Sequence, residues 1–150
     1  MVKIEKILFP SELREYSLKI LPFVISLSEK YNSTIYLLHV IQDISKWGGF
    51  YIPHIPLDLY QEEAMEAAEK FMDKVCRQQM QGCPKFQRII LSGDPAAEIL
   101  KTIDSEAIDL VVMGTHGYKG LEHAIFGSVA EKVLKNSAVP VLTINPYKLK

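Results

Sequence analysis

The stretch "DLVVMGTHGYKGLEHAIFGSVAEKVLK", Asp109 to Lys135, decides how the rest of the chain is read. It opens on a short, nearly continuous apolar run, the pattern of a strand covered on both faces. From Ser128 onward it carries helical spacing, and between the two lies a loop rich in glycine. A strand that feeds a helix in this way is one half of a β-α-β unit, so neighbouring segments should repeat the alternation.

They do. "KIEKILF", "TIYLLHV", "FQRIIL" and "VPVLTI" are further short apolar runs. Helical patterns fall between them: around Leu18, Leu21 and Ile25, from about Leu57 to Met80, after Asp94 and after Ser128. The order β-α-β-α-β-α-β-α-β predicts a doubly wound α/β fold, a parallel sheet with helices on both faces and right-handed crossovers. In "GDPAAEIL", Asp94 is placed to cap a helix that begins at Pro95. Turn-forming Asn and Ser precede the strands in "NSTIYLL" and "NSAVPVLTI". Pro22 sits inside the first helical pattern, which should therefore kink or break near Leu21.

A length of 150 residues and 17.0 kDa fits one domain over residues 1–150. Hydrophobic residues at 48% and charged residues at 23% point to neither a disordered nor a membrane-spanning class. With 17 basic and 18 acidic residues the formal charge is −1, so nucleic acid and anionic membranes are not expected partners. "MVKIEKILFP" has too short an apolar run for a signal peptide, and no stretch approaches the ~20 apolar residues of a membrane span. Cytoplasmic location is the expectation, and Cys76 and Cys83 are read as reduced thiols.

On a doubly wound sheet ligands bind beyond the carboxyl ends of the strands, where the winding reverses. Two such ends carry unusual chemistry: "FPSE" after the first strand and "MGTHG" after the fourth. In the second, Gly114 and Gly117 can let backbone N–H groups approach an anion, and Gly127 can hold open the mouth of the helix that starts at Ser128. The other reading needs no ligand: the glycines make turns, and Ser128 with Glu131 forms an S-x-x-E capping box. Neither G-x-x-x-x-G-K-[ST] nor G-x-G-x-x-G is present.

The spacing Gly114-x2-Gly117-x9-Gly127-Ser128, with "DLVVMGTHG", "GSVAEKVLKNSAVPVLTI" and the opening "KILFPSE", resembles the nucleotide-binding branch of the universal stress protein family. The resemblance implies the adenine nucleotide alpha hydrolase-like fold, a five-stranded parallel sheet in order 3-2-1-4-5. It implies a homodimer through the last strand, at Val139, Val141 and Thr143. It places adenine and ribose near Pro10, Ser11, Glu12, Val40 and Met113. The phosphates then lie against Gly114, His116, Gly117, Gly127, Ser128 and Val129. The ligand so implied is ATP, or ADP or AMP, with any magnesium or manganese held by the phosphates. The sequence departs from the family's usual P-T-D by Pro10-Ser11-Glu12, and from G-T-H-G-R-T-G-L by "GTHGYKGL" with Tyr118 and Lys119.

His39, His116 and His123 lack the spacing of a helical zinc site, and His39 reads as a satisfied buried side chain. The connection Ile41–Asp58 is long and carries Trp47, Phe50 and Tyr51, candidates for a partner contact. Met65, Met72 and Met80 read as core or rim. No set of groups for orienting water and stabilising a leaving phosphate is visible, so hydrolysis is expected to be slow or partner-dependent at most. The functional expectation is a dimeric regulatory module that binds an adenine nucleotide in a stress response. The alternative is a dimeric scaffold of the same family that binds none.

Overall fold

Five apolar runs form the five strands of one sheet in the computed structural model, which describes residues 1–43, 57–79, 85–116 and 126–150. The strands are β1 (Lys6–Pro10), β2 (Thr34–Gln42), β3 (Phe86–Gly93), β4 (Leu110–Gly114) and β5 (Val141–Ile144). The helices are α1 (Glu15–Leu18), α2 (Leu21–Tyr31), α3 (Leu57–Gln79), α4 (Pro95–Ser105) and α5 (Ser128–Asn136). All strand pairs are parallel and the order is β3-β2-β1-β4-β5, as the resemblance implied.

Alternation along each inner strand divides the core into two layers. Ile7 and Phe9 of β1, Ile35 and Leu37 of β2, and Leu110 and Val112 of β4 face α1, α2 and α3. Leu8, Tyr36, Leu38, Val111 and Met113 face α4 and α5 from the other side. Ile7, Leu8, Phe9, Leu37 and Leu38 have no exposed surface, and each such side chain contributes roughly 2 kcal/mol over an exposed one. Strands buried on both faces explain why the sequence runs are continuous rather than alternating.

Pro22 acts as expected. The first helical pattern is broken at residues 19–20, and Pro22 enters the first turn of α2, where its missing N–H removes no helical bond. The described residues thus form five helices where the sequence shows four helical patterns. Asp94 caps α4, accepting from the Ala97 N–H at 3.0 Å. Met72 is buried in the core and Met65 packs against it half-buried, whereas Met80 lies outside the described residues. Ile41 and Gln42 prolong β2, and Asp58 belongs to α3; Trp47, Phe50 and Tyr51 fall outside the described residues, as does Cys83. Cys76 is a free thiol. Among the described residues, no helix is long and apolar enough to cross a membrane.

Candidate functional site

From β1 the chain winds outward through β2 to β3, then returns to β4 on the other side of β1 and proceeds to β5. The carboxyl ends of β1 and β4 therefore flank the point of reversal, where the crossovers leave to opposite faces and open a crevice.

The first wall is the turn after β1. Pro10 is paired with Leu38 in the β1–β2 ladder, and Ser11 extends the contact by donating its N–H to the Leu38 carbonyl at 2.8 Å. The Ser11 carbonyl accepts from His39 Nδ1 at 2.8 Å, and its hydroxyl accepts from the Leu13 N–H at 3.1 Å and lies 3.2 Å from Ser17 Oγ. Every polar group of Ser11 is thus engaged. Leu13 has φ 57°, a left-handed conformation that costs a leucine roughly 1–2 kcal/mol, and its side chain is buried in the core.

Glu12 lies between these two fixed residues. Its Oε2 is buried and, among the described residues, has no hydrogen-bond partner. Burial pushes the Glu12 carboxyl above its ordinary range, with Arg14 pulling in the other direction. The Tyr16 phenol is pushed up to about 12, by burial first and by the Glu12 charge second. Burial holds His39 below its ordinary value against the bond to Ser11, so the ring is neutral at pH 7. A carbonyl only accepts; the neutral ring therefore carries its proton on Nδ1.

The opposite wall joins β4 to α5. Thr115 donates its N–H to the Ile144 carbonyl at 2.9 Å and accepts from the Gly127 N–H at 2.7 Å, which brings the helix mouth against the strand end. Thr115 Oγ1 and His116 Nδ1 are 2.8 Å apart and both residues are buried. A Cβ on Gly114 would stand 3.1 Å from Ile20 Cδ1, so glycine there lets β4 and the start of α2 approach.

The capping box read from Ser128 and Glu131 is not formed. Gly127 is the cap residue, with no side chain to accept a capping bond, and Ser128 is the first helical residue. Glu131 instead pairs with Lys135 at 2.8 Å. Ser is favoured at a cap, but Gly127 takes the extended conformation first (φ −70°, ψ 165°), leaving the first-turn N–H groups without an intrahelical acceptor.

Between the walls is a cleft of about 570 Å³, within the range of sites that hold a nucleotide-sized ligand. Pro10, Ser11 and Glu12 line it from the end of β1 and the turn after it, Val40 from β2, Met113, Gly114 and His116 from the end of β4 and just beyond, and Gly127, Ser128 and Val129 from the mouth of α5. Gly117, Tyr118, Lys119 and His123 lie outside the described residues. His39 lines the cleft as well, as do Tyr60 and Ala64, one helical turn apart on α3, and Pro95 and Ile99 of α4. From the sequence His39 reads as a satisfied buried side chain, and the other four carry no site signal, since α3 and α4 reach the cleft only through the sheet order. No group of three His, Cys, Asp or Glu side chains able to hold a metal ion occurs among the described residues. The cleft offers a carboxylate acceptor at one end and backbone donors with the positive end of a helix dipole at the other.

The sequence profile of the Universal stress protein family matches residues 3–145. The chain belongs to this family. Universal stress protein MJ0531 of Methanocaldococcus jannaschii is 32% identical over 147 residues, covering 96% of this chain and 84% of that protein. The solved structure of MJ0577, from the same organism, superposes with a TM-score of 0.74 at 27% identity, covering 96% of this chain and 97% of its own. Universal stress protein UspA from Lactobacillus plantarum gives 0.78 at 20% identity, over 97% of this chain and all of that one. Like these family members, the chain has the adenine nucleotide alpha hydrolase-like fold.

Proposed function

We propose that the cleft binds an adenine nucleotide and that the chain is a regulatory member of its family, responding to nucleotide occupancy. The carrying observation is the pairing, across one cleft, of a buried Glu12 oxygen without a partner among the described residues and an α5 helix mouth whose cap residue, Gly127, has no side chain to cap it. Hydroxyl or amino donors of the ligand satisfy Glu12. Its phosphates take the N–H groups of Ser128 and Val129 beside Gly114 and Gly127, with His116 and Gly117 in the same segment. Pro10, Ser11, Val40 and Met113 enclose the base and sugar. Two proteins of the same fold, at 17% and 16% identity and TM-scores of 0.61 and 0.66, are complexes with cAMP and with dAMP, which supports an adenine ligand at the level of the fold.

ATP, ADP and AMP all suit this arrangement, and magnesium or manganese enters on the phosphates rather than on a protein ligand set. Hydrolysis is slow or awaits a partner. The free edge of β5 supports a homodimer: β5 pairs with β4 on one side and with no described strand on the other. Val139 and Val141 pack inward on the α4–α5 side, so the contact is made by the strand edge, Thr143 and the exposed Leu142.

Thermal melting with ATP and magnesium tests the proposal, with GTP as control. At a hundredfold excess over Kd, binding adds ~2.7 kcal/mol, a rise of roughly 5–10 °C for a chain of this size. No rise at millimolar ATP, with no nucleotide carried through purification, favours the scaffold that binds none.

A further inference from the structure

We propose that His39 is a positioning residue of the cleft, whose Nδ1–H holds the Ser11 carbonyl and so fixes the turn that turns Glu12 inward. The ligand role of Glu12 rests on the nucleotide reading above; the positioning itself does not.

Three observations converge on it. The His39–Ser11 bond of 2.8 Å ties a strand side chain to the backbone of the residue that immediately precedes Glu12. It crosses from β2 to the turn after β1 beside the Ser11 N–H bond to Leu38, so Ser11 is gripped at both its N–H and its carbonyl by consecutive residues of β2. On the far side of Glu12, Leu13 is held in a left-handed conformation, with its N–H on the Ser11 hydroxyl. A strained turn of this kind persists only while its surroundings over-determine it. Glu12 shows what is being held: a carboxylate oxygen kept buried without a partner among the described residues, where an unrestrained side chain would rotate to water. His39 also lines the cleft, yet its donor is spent on the backbone, which separates it from a residue that merely fills space.

Asn and Gln substitutions divide the ring's two nitrogens: an Asn amide reaches about as far as Nδ1, a Gln amide about as far as Nε2. His39→Asn therefore keeps the donor to Ser11, while His39→Gln and His39→Phe lose it. The first readout needs no ligand. The Glu12 carboxyl is titrated by carbon-13 NMR; Arg14 is the charge acting on it and Tyr16 the titratable group it acts on in turn. In the wild type and in His39→Asn, Glu12 titrates above the ordinary carboxyl range; in His39→Gln and His39→Phe it returns to that range as the side chain swings to solvent. An unmoved Glu12 in folded His39→Gln and His39→Phe overturns the proposal.

The second readout is ATP affinity in a double-mutant cycle with Glu12→Gln. Loss of the donor weakens ATP roughly tenfold in the wild-type background and by much less once Glu12 is gone. Equal losses in both backgrounds overturn action through Glu12. Should Glu12 respond to His39 while no nucleotide binds any variant, the positioning role stands and the nucleotide reading falls. Should His39→Phe fail to fold, the Asn and Gln pair decides alone.

Discussion

Glu12 is held in place by its neighbours in the chain. Ser11 and Leu13 are fixed on either side of it, and a buried carboxylate oxygen without a partner among the described residues raises the free energy of the ligand-free fold. The sign of the pH dependence follows. The folded carboxyl binds its proton more tightly than the unfolded one, so this group's effect on stability becomes increasingly unfavourable as pH rises from the ordinary 4.5 through the raised folded value. Glu12→Gln should therefore melt higher than the wild type at pH 7.5 and no higher at pH 4, a comparison in which the shared titrations largely cancel. The same variant should bind ATP roughly tenfold more weakly by calorimetry, because an amide is a poorer acceptor for ligand donors than a carboxylate. At this scale the sequence showed the acid but not its setting. His39 reads as a buried side chain in an apolar strand; only the pairing of Pro10 with Leu38 puts its ring on Ser11, and cross-strand neighbours leave no trace in one strand's pattern.

Among the elements, α4 and α5 start in different ways. Asp94 caps α4 with its own side chain, and Asp94→Ala should cost ~1 kcal/mol in urea denaturation. Gly127, the cap residue of α5, has no side chain to do the same, and it sits in extended backbone that any residue adopts, so the glycine is not required by conformation. Gly127→Val should thus fold, at a cost of about 1 kcal/mol or less, and lose ATP affinity by filling the helix mouth. Unchanged affinity in a folded Gly127→Val protein would place the phosphates elsewhere. The helix starts were legible where a cap residue is followed by proline, as at Asp94-Pro95, and the break at Pro22 was legible from ring chemistry alone. Ser128 misled because a cap-forming residue beside a glycine does not reveal which of the two enters the helix first.

In the whole molecule, the order β3-β2-β1-β4-β5 is what makes distant segments one site: residues 10–12 meet residues 113–116 and 127–129 because β1 and β4 are neighbours. Alternating apolar strands and helices announced a parallel sheet, but several strand orders satisfy that pattern, and the order rested on family resemblance. The proposed dimer belongs to this scale too. Light scattering should report twice 17.0 kDa for the wild type, and Leu142→Lys on the exposed β5 edge should return the chain toward 17.0 kDa without unfolding it. The most direct measurement is equilibrium dialysis of the purified chain against labelled ATP with magnesium, with unlabelled ATP, AMP and GTP as competitors. Saturation at one ATP per chain, displaced by AMP and not by GTP, is the expected result; no retention of ATP at millimolar concentration would contradict the account.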